Sequence, residues 1–322
     1  MDKTKFLVNP GKPITLPAIG EMPPDVHDFE QRSVNAINTA LAAKRPLLLR
    51  GEPGVGKSQL ARAAAHVLGR AFIPFVVDSR TESRELLWHF DAVQRLADAQ
   101  ICGQMFDSFD DARKELTEEK YVRPGPLWWA FHWEGAEKRS NGSKVGHHRP
   151  ENWNSKTDGC VLLIDEIDKG ERDVPNGLLE ALGSHEISVP WGEPVVVRNA
   201  PPLVIITSNS ERQLPDAFIR RCLVLSLSLP AKPEELIKKL IERGKAHFPN
   251  AHPSVLEAIA YQLADDRKQA QDEHSTPLPG QAEYLDLLRA VTEMKPDSIE
   301  EQLKVLMEIK DFVLKKRAGL DG

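Results

Sequence analysis

The sequence predicts an α/β fold, a parallel sheet of five strands followed by a smaller all-helical segment. Three observations predict it. Short apolar runs recur that are continuous rather than alternating, as strands buried on both faces must be. Helical patterns lie between them, and strands alternating with helices build a parallel sheet in an α/β layer. Beyond Pro230 the strand runs stop and only helical periodicity remains.

Taken in order, residues 1–28 are rich in proline, weakly periodic, and read as an extended arm. "FEQRSVNAINTALAA" (29–43) places Val34, Ile37 and Leu41 at helical spacing. Pro46 opens "PLLLR", a short run suited to a buried strand. A glycine-rich turn follows, then a helix from about Lys57 to Leu68 with Gly69 at its C-cap. "AFIPFVVD" (71–78) is a second strand, and "SRELLWHFDAVQRLADAQ" (83–100) has a helical pattern. Residues 103–123 are charged and irregular, "PGPLWWAF" (124–131) is a turn entering an aromatic run, and the polar stretch 133–158 reads as a mobile surface insertion. "CVLLIDEIDKG" (160–170) is a third strand with acids at its carboxyl end, and 172–182 is helical. "HEISVPWGEPVVV" (185–197) alternates on both sides of a Pro-Trp-Gly-Glu turn, as a hairpin does. "PLVIITSNS" (202–210) and "CLVLSLSL" (222–229) complete the strands. After Pro230, Leu236, Ile237, Leu240 and Ile241 share one helical face, and Ile299, Leu303, Leu306, Ile309 and Val313 another.

Composition narrows the class. The 322 residues carry 42 Lys plus Arg against 48 Asp plus Glu, and a net charge of −6 argues against non-specific nucleic-acid binding. No apolar run approaches the roughly 20 residues that span a bilayer. The opening residues show no secretion signal, so a cytoplasmic location without membrane attachment is expected. Cys102, Cys160 and Cys222 form no CxxC pair and read as free thiols. His132, His147, His148 and Cys160 fit no tetrahedral zinc spacing.

Gly51-Glu52-Pro53-Gly54-Val55-Gly56-Lys57-Ser58 fits G-x-x-x-x-G-K-[ST] between a strand and a helix. Glycines let backbone N–H groups point at phosphate oxygens, and the helix adds its positive N-terminal end. Lys57 supplies charge for β- and γ-phosphates, and the Ser58 hydroxyl can ligate Mg²⁺. Gln59, next along, completes the expected cofactor-binding set. Downstream, "VLLIDE" ends a strand with Asp165, suited to holding the metal, and Glu166, suited to orienting an attacking water. Asn209 closes the fourth strand, within expected reach of the γ-phosphate or that water. Arg220 and Arg221 end a short helix, and arginine stabilises charge on a transferring phosphoryl group.

The order GEPGVGKS, LLIDE, TSN and LPDAFIRRC resembles the AAA+ ATPases, in particular the MoxR-like branch. "GPLWWAF" and "LLIDEIDKGERDVPNGLLEAL" resemble that branch too, over roughly 30–295. The resemblance implies a P-loop NTPase αβα sandwich over 29–230 and a helical lid over 231–322. It implies a homo-oligomeric ring, usually a hexamer, with ATP at the subunit interfaces. By similarity Lys57 and Ser58 are Walker A, Asp165 and Glu166 Walker B, Asn209 sensor 1, and Arg221 or Arg220 the arginine finger, with Arg221 preferred. Residues 90–123 resemble the family's helix-2 insertion and 185–197 its pre-sensor-1 hairpin, with Trp191 at the tip. Ala282 stands about where a lid arginine is expected, with Arg267 and Lys268 as the nearby cations.

The expected function is Mg²⁺-dependent ATP hydrolysis by a ring that remodels or assembles a protein partner. The alternatives are a nucleic-acid-directed motor subunit and a slow ATP-gated scaffold. The adenine contacts are expected from the region around 24–28.

Overall fold

The computed structural model describes residues 6–20, 22–105, 114, 116–140, 147–189, 193–274 and 276–314. In chain order these form strands β1 (Ile14–Leu16) and β2 (Asp25–His27), helix α1 (Gln31–Ala43), β3 (Leu47–Arg50), α2 (Lys57–Leu68) and β4 (Ala71–Val76). Next come β5 (Trp88–Phe90), α3 (Ala92–Met105), β6 (Val122–Pro124), α4 (Pro126–Phe131), α5 (Trp133–Arg139) and β7 (Cys160–Asp165). Helix α6 (Val174–Ser184), β8 (Glu186–Ile187), β9 (Val195–Val196), β10 (Leu203–Ser208), α7 (Asp216–Arg221) and β11 (Leu223–Ser226) follow. The chain ends in α8 (Pro233–His247), α9 (Pro253–Asp272), α10 (Gln281–Met294) and α11 (Ile299–Leu314).

The chain divides into two compact units. The first takes Met1–Val8, Arg32–Leu49 and Ala61–Leu225, and the second Asn9–Gln31, Arg50–Leu60 and Ser226–Gly322.

The first unit holds the five-stranded parallel sheet in the order β11-β3-β10-β7-β4. Its continuous apolar runs are buried as the pattern required: Leu47, Leu48, Leu49, Val161, Leu162, Ile164, Ile205 and Ile206 are all fully buried. Pro74 is accommodated because β4 is an edge strand, where a missing N–H costs no ladder bond.

Two expectations in this unit are corrected. The helix expected over 83–100 is a short 3-10 turn (Ser83–Leu86), then β5 paired antiparallel with β6, and only then α3. The reason lies in Asp91, whose carboxylate accepts the Gln94 N–H at 2.9 Å and starts the helix there. The aromatic residues before it pair as a strand instead. The stretch 133–158 is not a loose insertion where it is described. Residues Trp133–Arg139 are helical, His148 bridges Phe72 by two backbone bonds, and Trp153 Nε1 donates to Gly159 O at 2.7 Å. Its polar composition reflects turn chemistry: Asp158, buried, accepts the Asn154 N–H at 2.8 Å. "PLWWAF" is itself helical, and every side chain in it is buried. The 185–197 hairpin forms through β8 and β9, while its tip, with Trp191, lies outside the described residues.

In the second unit the proline-rich N-terminal stretch contains a small hairpin, with Ile14 opposite His27 and Leu16 opposite Asp25. Helices α8 to α11 share a core in which Leu240, Val255, Ile259, Leu263, Tyr284, Leu287, Leu288 and Val291 are fully buried. The glycine-rich turn and the first turn of α2 belong to this unit, and Val55 packs against the helical core. Among the described residues no helix is long and apolar enough to cross a membrane.

Candidate active site

The turn 51–56 departs from β3 and delivers the chain into α2. Two glycines in it are structural necessities. A Cβ on Gly51 would sit 2.2 Å from Leu227 O, which no side chain tolerates. Gly54 has φ +75°, and a Cβ there would lie 2.9 Å from that of Ala282. Ala282, at the position where a lid arginine was expected, is thus a packing partner of the loop. Lys57 is buried, with Nζ donating to Gly51 O at 2.8 Å and Glu52 O at 2.9 Å. The ammonium is folded into the concavity of its own loop, where an anion's oxygens would be its natural partners.

Glu52 is held from the helical core. Arg267, on α9 and only 7% exposed, places Nη2 2.7 Å from Glu52 Oε2 and donates Nη1 to Pro279 O at 2.7 Å. Gln59 does not extend the turn. Its Nε2 donates to Asp25 Oδ2 (2.6 Å) and Val26 O (3.1 Å), and its Oε1 lies 3.0 Å from His27 Nδ1. It ties α2 to β2, within the 24–28 region expected to contact a base. His247 Nδ1 meets the other Asp25 oxygen at 3.3 Å. Burial pushes His27 down to about 4, against the opposing pull of its bond to Gln59.

In the sheet unit, the ends of β7 and β10 form a second constellation. Thr207, fully buried, donates its hydroxyl to Asp165 Oδ1 and accepts the Glu166 N–H at 2.9 Å. Glu166 has left-handed backbone angles, φ 59° and ψ 45°. Its Oε1 accepts from Asn209 Nδ2 at 3.1 Å, and its Oε2 from Lys169 Nζ at 2.7 Å. That hydrogen bond, then the Glu166 charge, raises the Lys169 ammonium above its ordinary range. Asp168, 3% exposed, accepts the backbone N–H groups of Asn209 (3.3 Å) and Glu211 (2.8 Å). Sequence reading named Asp165, Glu166 and Asn209. It missed Thr207, Asp168 and Lys169, although the spacing D-E-I-D-K on a 3-10 turn was a usable signal for the last two.

Arg220 and Arg221 end α7, exposed, with no side-chain hydrogen bond or ion pair among the described residues.

The model of the AAA domain, dynein-related subfamily, matches residues 46–243. The chain belongs to that family. No curated protein matches it. An AAA domain is in general a nucleotide-binding ATPase, usually working with Mg²⁺, and the loop and carboxylates of this AAA domain fall inside the matched span.

The residues present fit such ligands. The turn offers glycine backbone and a lysine to phosphate. Each unit also carries a hard oxygen of the kind Mg²⁺ takes, the Ser58 hydroxyl in the second and the Asp165 carboxylate in the first, and Mg²⁺ sites are completed by water and substrate phosphates rather than an all-protein cage. No group of three or more His, Cys, Asp or Glu converges among the described residues. Cys160 is fully buried, and burial pushes its thiol up to about 12, the behaviour of a packing residue.

Proposed function

We propose that this chain is a MoxR-type AAA+ ATPase that hydrolyses ATP in a homo-oligomeric ring, a hexamer, and uses the cycle to remodel or assemble a protein partner. Residues 29–230 are the nucleotide domain, 231–322 the lid and 1–28 an N-terminal arm. The observation that carries the reading is the Glu166–Asn209 pair at the ends of adjacent strands, 3.1 Å apart. A carboxylate beside an amide is the arrangement that can accept a proton from water while holding it in line for attack.

Gly51 to Ser58 bind the phosphates, with Lys57 exchanging its carbonyl partners for phosphate oxygens. Ser58 and Asp165 would each offer an oxygen to Mg²⁺, which would supply charge neutralisation for the β- and γ-phosphates. Glu166 takes the proton of the attacking water, Asn209 orients both, and Lys169 anchors the second carboxylate oxygen. Arg221, with Arg220 beside it, reaches the ATP of the neighbouring subunit and stabilises the charge of the transition state. Arg267 takes the place of the missing lid arginine, acting on the loop through Glu52.

The test is Glu166→Gln in the full chain. ATP turnover should fall ~100-fold or more, the range of a lost general base. ATP affinity should hold, and the stalled ring should retain its protein partner. Unchanged turnover would remove Glu166 from the reaction. Capture of nucleic acid in place of protein would reassign the motor.

A further inference from the structure

The end of α7 is held by an arginine outside every motif. Arg45 follows Lys44, whose left-handed backbone (φ 53°) turns the chain out of α1, and it leads directly into β3. Its Nη2 donates to Arg220 O at 2.6 Å and Cys222 O at 3.1 Å, and its Nε to Arg221 O at 3.1 Å. These are carbonyls that a helix end leaves without internal partners. One planar guanidinium satisfies all three, which a point-charge ammonium cannot do in the same geometry. One residue further along each segment, Leu223 N donates to Pro46 O at 2.8 Å, so the two are locked side by side. The clamp grips backbone only. It leaves the guanidinium groups of Arg220 and Arg221 projecting from a fixed base.

We propose that Arg45 is the positioning residue of the arginine finger: it sets the helix end from which Arg221, or Arg220, enters the neighbouring subunit's site. This rests on the ring-ATPase reading above. Its consequence is a defect that appears in trans. Loss of Arg45 from one subunit impairs hydrolysis at the neighbour's site and leaves the subunit's own site able to bind and cut ATP.

The experiment compares full-length Arg45→Ala and Arg45→Lys with Arg221→Ala, Arg220→Ala and the double arginine variant. It reads ATP turnover, ATP affinity and oligomer size. Arg45→Ala should lower turnover on the order of 100-fold, the effect of displacing a catalytic group by about 1 Å. ATP affinity and assembly should match wild type, and Arg45→Lys should recover part of the rate. The decisive arm co-expresses Arg45→Ala with Glu166→Gln. Neither is active alone, yet mixed rings should regain turnover, because an intact Glu166 then faces a finger whose Arg45 is present. A fold contact would give no such rescue. Failure of rescue, loss of ATP affinity or assembly in Arg45→Ala, or a near-wild-type rate in that variant while Arg221→Ala is inactive would each overturn the proposal. Full turnover in the double Arg220/Arg221 variant would overturn the underlying reading instead.

Discussion

Replacing Asp168 with alanine tests how the second constellation is held. The carboxylate is 3% exposed and accepts two backbone N–H groups, from Glu211 at 2.8 Å and Asn209 at 3.3 Å. Hydrogen bonds to a charged acceptor contribute ~1.5–3 kcal/mol each, and the longer one belongs at the low end. Asp168→Ala should therefore cost about 3 kcal/mol, while Asp168→Asn, which keeps an acceptor oxygen, should cost less. All six tryptophans lie between Trp88 and Trp191, within the sheet unit, so intrinsic fluorescence during urea unfolding reports on the right part of the chain. With an m-value of roughly 3 kcal/mol/M, the midpoint should drop by about 1 M. Turnover should also fall, because the Asn209 backbone loses its fixed point, while ATP affinity stays as it was. An unchanged urea midpoint would show that the two N–H groups are equally well satisfied by water. An unchanged rate at a lowered midpoint would show that Asn209 does not need this support.

Two further outcomes follow from the second unit. Arg267→Met strips Glu52 of its neutralising partner beside the phosphates, so ATP affinity should fall on the order of tenfold, ~1.4 kcal/mol. Adding Glu52→Gln should restore most of it, and a double variant no tighter than the single one would dismiss the coupling. His27 is buried and held down to about 4, so its folded form stays neutral while the unfolded form protonates below about 6.5. Stability should be unaffected above pH 6.5 and lost progressively from there to pH 4, by about 3 kcal/mol in all. Thermal unfolding across that range should show the slope in wild type and a flatter one in His27→Gln. Equal slopes would clear His27 of the effect.

The sheet was legible because burial on both faces leaves a plain mark, a continuous run such as "VLLID" or "LVIIT" that no amphipathic helix needs to carry. The glycine-rich turn was legible for a related reason: Gly51 cannot be another residue while Leu227 O lies where its Cβ would be. What composition concealed were local decisions made by single polar groups. Asp91 starts α3 nine residues later than periodicity alone suggests, because its carboxylate caps the Gln94 N–H. Asp158 and Trp153 order a stretch whose polarity resembles that of a solvated loop. Thr207 and Arg45 were invisible for another reason. Each acts on a partner more than 40 or 170 residues away, and nothing in their own neighbourhood of sequence marks the partner.

The left-handed Glu166 connects the sheet to the chemistry. Adjacent residues of a strand point to opposite faces, so Asp165 and Glu166 in regular continuation of β7 would diverge. Yet both acids bond the same neighbouring segment, Asp165 to Thr207 and Glu166 to Asn209, two residues apart and so on one side of it. The left-handed turn at Glu166 breaks the alternation and lets consecutive acids converge. For a residue with a Cβ that conformation costs roughly 1–2 kcal/mol. It persists because its backbone N–H is held by Thr207, its carbonyl accepts the Lys169 N–H at 2.9 Å, and both carboxylate oxygens are engaged. The groups that stabilise the strain are thus the groups that aim the carboxylate. A glycine would adopt the backbone without cost but would bring no carboxylate. A strand-compatible backbone would keep the carboxylate and turn it away from Asn209. The doublet of acids at the end of β7 therefore works only as part of this four-way clamp.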